Sequence, residues 1–287
     1  MNSPSLASRY SALLMRFYRW IWLGRIESRP PEIPRGSLVL AAHYNGLVDA
    51  FVYGSQLPPF IGVISAQWHR TLVGRSLLPG IAVKRAKDHG SNANNLTAFR
   101  LMVGQVQAGA RLLFFPEGTS RLGTARLPIG RGTLLLLRGL RSGDPPPAVF
   151  FTAIHYHQPT RWRSNASVGW VGPLALPDSS AQDESWVQSH LLQAQSAAYS
   201  LPVRPSYRWT WLAALFALPY LPVWAVTARL ARRTADEENV VALWKFLFGV
   251  PLTLMTWGIA TAIAAREGLP WWIPSASLTG GWLLWNR

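Results

Sequence analysis

The sequence predicts an α/β fold: a mainly parallel sheet flanked by helices, with an N-terminal amphipathic helix and C-terminal membrane-embedded helices. Three observations predict it. Short apolar runs alternate with helical segments from residue 37 to about 176, the pattern of strand–helix–strand units. Residues 8–24 place cationic and apolar side chains at helical spacing. Residues 209–228 and 246–265 are each uncharged for 20 positions, long enough to cross a bilayer core.

The elements follow in order. In residues 8–24, Arg9, Arg16 and Arg19 fall on one side, and Leu13, Leu14, Phe17, Trp20 and Ile21 occupy the rest. That arc is wider than core packing needs and suits an in-plane membrane helix. The same arginines interrupt any signal-peptide core, so the main domain is expected on the cytoplasmic face of the cell inner membrane. Arg29-Pro30-Pro31-Glu32-Ile33-Pro34 ends the helix as a stiff linker. Strands are expected over 37–42, 60–64, 111–115, 148–156 and 166–171. Helices are expected over 49–56, 92–108, 131–141 and 182–199, the second capped by Asn92 or Asn94. Beyond that, Pro219 and Pro222 split the first uncharged stretch, and Pro274 with Gly280-Gly281 breaks 269–286 into an interfacial segment. Arg229, Arg232, Arg233 and Lys245 between the two long stretches oppose a simple double span, so two half-inserted hairpins are expected. The chain thus divides into an N-terminal helix and linker (1–36), a main domain (37–205) and a hydrophobic region (206–287).

Composition narrows the partners. The net charge of +15 calls for an anionic partner, and 15 tryptophans, nine of them after residue 208, favour a membrane–water interface. The aromatics sit within apolar runs rather than between arginines on a sheet face, which speaks against nucleic acid. With no cysteine, disulfides, thiolate zinc sites and a thiol nucleophile are excluded. His155 and His157 share a strand face without an evident third ligand, so no metal is expected. Arg126, Arg131, Arg138 and Arg141 are expected to meet lipid headgroups.

Between residues 37 and 177 only Asp49, Asp88, Glu117 and Asp144 are acidic, against 14 Lys+Arg. An isolated carboxylate in that field is either paired structurally or needed by a site. His43 ends an apolar strand and Asp49 opens a helix, the corner where open α/β sheets build sites. There the carboxylate reaches one ring nitrogen and leaves the other to accept a proton. No serine or cysteine nucleophile stands beside the pair, so it should activate a substrate hydroxyl. A second block, Phe115-Pro116-Glu117-Gly118-Thr119-Ser120-Arg121, follows a strand with a glycine turn. It gathers N–H groups, two hydroxyls and a guanidinium where an anion fits, and Glu117 can hold a hydroxyl or a backbone N–H.

Together these blocks resemble the glycerolipid acyltransferase superfamily, of the lysophosphatidate and glycerol-phosphate acyltransferase type. The resemblance rests on His43 to Asp49, on Gly80-Ile81-Ala82-Val83-Lys84-Arg85, on Phe115 to Ser120 and on the apolar strand 148–156. These occur in family order and cover roughly residues 37–172. Five residues, Tyr44-Asn45-Gly46-Leu47-Val48, separate His and Asp where the family usually has four, as in a subset that includes glycerol-phosphate acyltransferases. The resemblance implies that His43, oriented by Asp49, deprotonates the acceptor hydroxyl for attack on the thioester of acyl-CoA or acyl carrier protein. It implies that Arg85 and Arg121, helped by Lys84, hold the acceptor phosphate, and that Glu117, Gly118, Thr119 and Ser120 bind substrate. The expected acceptor is 1-acylglycerol 3-phosphate, with glycerol 3-phosphate second and a phospholipid transacylase also compatible. Expected partners are membrane lipids, the acyl donor and the phosphorylated glycerol acceptor. No bound cofactor is expected, since the acyl carrier is a substrate. A peripheral lipid-binding protein is the non-enzymatic alternative.

Overall fold

The computed structural model describes residues 13, 15–20, 22–70, 80–84, 95–120, 127–160, 164–202, 220–235, 238–270, 272–275 and 277. Seven strands form one sheet: β1 Leu23–Ser28, β2 Leu38–Ala41, β3 Ile61–Ser65, β4 Gly80–Val83, β5 Leu112–Phe114, β6 Val149–Tyr156 and β7 Ser164–Leu174. Their order is β1-β7-β6-β2-β5-β3-β4. Every pairing is parallel except the β6–β7 hairpin. Among the described residues the helices of ten residues or more are α1 Leu47–Gln56, α2 Asn95–Gln107, α3 Arg131–Arg141, α4 Asp183–Ser200, α5 Leu221–Thr234 and α6 Val241–Arg266.

Strand alternation sorts side chains onto two faces. On β2, Leu38 and Leu40 join Leu112 and Phe114 of β5 and Val149, Phe151 and Ala153 of β6 beneath α2, α3 and α4. Val39 and Ala41 join Leu113, Phe150 and Ile154 beneath α1, the N-terminal helical residues and the start of α6. Both faces of β2 are therefore apolar and covered, as parallel sheets require. Each fully buried Leu or Phe contributes about 1.5–3 kcal/mol. Close packing on β7 depends on Gly169, where an added Cβ would lie 2.0 Å from the Ala194 carbonyl oxygen and 2.4 Å from the Ala198 nitrogen of α4.

Two strands depart from the expected pattern. Leu23–Ser28, assigned to the end of a helix and the approach to a linker, pairs in parallel with β7 at the sheet edge. Gly80–Val83, given no secondary structure in the sequence reading, forms the opposite edge on β3. Arg229, Arg232 and Arg233, which lie between the two long uncharged stretches, belong to helix α5. α5 begins where Pro222 can occupy its first turn, and packs on α6, with Gly249 against Thr227. Asn92, Asn94, the first half of the 209–228 stretch and most of 269–286 lie outside the described residues.

Among the described residues one helix, α6, is long and apolar enough to cross a membrane, with a mean hydropathy of 1.7 over its best window and none of that window buried. Its first turn is different: Val241, Ala242 and Leu243 are buried. Phe246 meets Tyr18 edge-on at 4.6 Å, and Tyr18 stacks on Phe51 of α1 at 4.3 Å. Lys245 Nζ donates to the Thr160 carbonyl at 2.8 Å. The N-terminal helical residues have two sides accordingly, with Met15, Tyr18 and Trp22 buried and Leu13, Phe17 and Trp20 outward.

Candidate active site

The carboxyl ends of β2, β5 and β6 lie side by side, because these strands are neighbours and parallel. The chain leaves β2 through Ala42, whose N–H still bonds the Thr152 carbonyl at 2.9 Å, and turns at His43. Gly46 takes φ +53°, a conformation that side chains disfavour, and this lets α1 start at Leu47 with Asp49 in its first turn. The five-residue separation thereby folds the Asp49 carboxylate back onto the turn.

Four donors converge on that carboxylate, which is fully buried. Oδ2 accepts from the Tyr44 N–H at 2.6 Å and the Asn45 N–H at 2.8 Å, and lies 3.0 Å from His43 Nδ1. Oδ1 accepts from the Tyr156 hydroxyl at 2.7 Å. Facing an acceptor-only oxygen, Nδ1 carries the imidazole proton, and Nε2 is left with a lone pair. The His43 side chain keeps 16% of its surface exposed. One ring face is covered by Phe115, stacked at 4.1 Å. Burial first, and then the Asp49 charge, push the Tyr156 and Tyr53 hydroxyls well above the usual phenol range. Both stay neutral donors, Tyr53 to the Ala42 carbonyl at 3.0 Å.

The second block arrives beside the first. After β5 the chain turns at Gly118, φ +67°, with the Gly118 N–H on the Phe115 carbonyl. Thr133 Oγ1 at 2.7 Å and the Gly130 N–H at 2.8 Å hold the Pro116 carbonyl, tying this turn to the start of α3. Glu117 Oε2 accepts from the His43 N–H at 2.9 Å. Of the two uses expected for Glu117, holding a backbone N–H is therefore present. It also lines a recess with Tyr44, Ile129 and Gln188. Gly118 is exposed, and Thr119 and Ser120 are half-buried beyond it.

Lys84 directly follows β4, and its N–H and carbonyl are clamped by the Asn95 side chain at 3.0 and 2.7 Å. Arg85 and Arg121 lie outside the described residues, as do Arg126 and His89. Arg141, expected at lipid headgroups, is instead committed to the fold: it pairs with the buried Asp183 and donates to the Pro177 carbonyl at 2.9 Å. His155 packs against Tyr199 at 4.3 Å. Burial and then His157 lower its pKa. Among the described residues no three potential ligands gather as a metal site.

Sequence reading did not single out Tyr156 or Phe115 as site groups. Tyr156 carried a signal: it continues the Phe150, Thr152, Ile154 register onto a buried face, where a phenol needs an acceptor. No comparable pattern pointed to the Phe115 stack.

No protein-family model matches the chain, and no curated protein matches it. Among solved structures, it is similar to the 1-acyl-sn-glycerophosphate (LPA) acyltransferase PlsC from Thermotoga maritima, at 12% sequence identity over 69% of this chain and 80% of that one, with a TM-score of 0.49.

Proposed function

We propose that the protein is a membrane-bound O-acyltransferase that moves a fatty acyl group from a thioester donor to a hydroxyl of 1-acylglycerol 3-phosphate. The observation that carries this reading is the His43–Asp49 pair at the carboxyl end of the central strand, where the imidazole Nδ1 is held by the carboxylate and Nε2 is left to take a proton. His43 takes the proton of the acceptor hydroxyl on Nε2 while Asp49 stabilises the imidazolium. The alkoxide oxygen attacks the thioester carbonyl, an ester C–O bond forms, the C–S bond breaks, and the thiolate takes the proton back from His43. Acyl-CoA and acyl carrier protein are both suitable donors, and the reaction needs no bound cofactor. Arg85, Arg121 and Lys84 are assigned the acceptor phosphate, for which guanidinium forks are suited. Thr119 and Ser120 supply hydroxyls and Gly118 an approachable backbone beside it.

The apolar α6 helix and the outward Leu13, Phe17 and Trp20 support a lipid acceptor met at a membrane. The cytoplasmic face of the inner membrane is assigned from the arginines that interrupt residues 8–24 as a signal-peptide core. The longer His-to-Asp separation favours glycerol 3-phosphate as the second reading. The test is acyl transfer by detergent-purified protein from labelled acyl-CoA or acyl carrier protein to each acceptor, with His43→Ala alongside. Product with wild type and none with the variant is expected. Equal product from His43→Ala would overturn the mechanism, and no transfer to either acceptor would overturn the substrate assignment.

A further inference from the structure

The donors on Asp49 do not come from one element. The Tyr44 and Asn45 N–H groups and the His43 ring belong to the turn after β2, and all three meet Oδ2. Oδ1 accepts instead from Tyr156, the last residue of β6, 107 positions away. The terminal torsion of a carboxylate is soft and two-fold. With Oδ2 alone engaged, Oδ1 is a buried anionic oxygen without a partner, and any rotation that found it one would turn Oδ2 from the ring.

We propose that Tyr156 is a positioning residue for the His43–Asp49 pair: its hydroxyl pins Oδ1, so that Oδ2 faces Nδ1, and it draws off part of the charge that Asp49 presents to the imidazole. The kinetic consequence rests on the acyl-transfer reading; the physical one does not. The other titratable groups facing the pair among the described residues are Glu117 after β5, Tyr44 in the turn, Tyr53 on α1 and Tyr18 on the N-terminal helix. Tyr156→Phe alters none of them and keeps the aromatic ring in place.

The experiment compares wild type, Tyr156→Phe and protein carrying 3-fluorotyrosine at position 156. In Tyr156→Phe, kcat should fall about tenfold with KM for both substrates unchanged, the scale of one hydrogen bond to a charged group. The acid limb of the kcat/KM profile should move to higher pH, because a carboxylate relieved of one donor holds the imidazolium more strongly. Fluorotyrosine, a stronger donor, should move the limb the other way. NMR titration of the His43 imidazole in detergent should follow the same two directions, independently of turnover. The proposal is overturned if limb and titration both stay at the wild-type position in both proteins, or if activity falls only in proportion to lost folded protein. Should wild type transfer no acyl group, the acyl-transfer reading fails, and the His43 titration still decides the role of Tyr156.

Discussion

Replacing Asp49 with alanine should damage the fold as well as the chemistry, whereas replacing His43 should damage the chemistry and cost the fold little. Asp49→Ala strands four donors in a fully buried position. The imidazole can change tautomer and the Tyr156 hydroxyl can rotate, but the Tyr44 and Asn45 N–H groups are fixed by the turn. At about 1–3 kcal/mol for each abandoned buried donor, the two amides alone cost roughly 2–6 kcal/mol. A typical native state is stable by only about 5–15 kcal/mol. Asp49→Asn is milder. Its amide oxygen can take the three-donor position while its NH2 faces the Tyr156 hydroxyl, which turns to accept, and the loss of charge assistance costs roughly 1–3 kcal/mol. His43→Ala leaves Asp49 three donors and removes one ring contact, about 1 kcal/mol. Thermal unfolding in detergent, read by tryptophan fluorescence, should therefore rank wild type, His43→Ala, Asp49→Asn and Asp49→Ala in falling order. The last should melt on the order of 10 °C below wild type. Acyl transfer should be lost in both alanine variants. An Asp49→Ala protein melting within about 2 °C of wild type, or a His43→Ala protein falling as far, would refute the reasoning.

Three further outcomes follow from the geometry. Glu117→Gln keeps an acceptor for the His43 N–H and should retain most stability, whereas Glu117→Ala strands that donor and should cost about 1–3 kcal/mol by the same thermal measurement. Gly169→Ala presses a methyl group into the backbone of α4, which cannot yield as a side-chain tip would; we expect a loss of about 3 kcal/mol or more, seen as failure to accumulate folded protein. The lowered pKa of His155 means that the unfolded chain binds its proton more readily. Its neutral burial is therefore without penalty above the ordinary value of 6.5, stability falls as pH drops from there, and the fall ends below the folded value. His155→Asn should flatten the pH dependence of the melting temperature over that window.

Much of this architecture is legible residue by residue. The runs 37–42, 111–115 and 148–156 are apolar on both faces, which is what a covered parallel strand requires, and they became β2, β5 and β6. The edges were not legible. Leu23–Ser28 carries Gly24, Arg25 and Glu27 because one flank faces solvent, and its partner lies some 140 residues downstream. Four-residue β4 is too short to show any period. The His43–Asp49 pair and the Glu117 turn were legible because each is a local motif on a strand end. The Tyr156 bond was not, because it joins segments that only sheet order brings together. Arg141 misled for the opposite reason: a cation on a helix surface looks free until its buried partner Asp183, 42 positions on, is known.

The pile of rings from Phe246 through Tyr18 to Phe51 has a practical corollary for anyone handling the protein. Trimming the greasy tail before residue 241 would not simply liberate a water-loving remainder. It would strip one wall from Tyr18 and Trp22, withdraw the ammonium that holds the Thr160 carbonyl, and bare a fresh sticky flank two residues from Asp49. A better route to a tractable sample keeps α6 and repaints its outer side, exchanging Leu254, Met255, Ile259 and Ile263 for polar residues while leaving the inner contacts untouched.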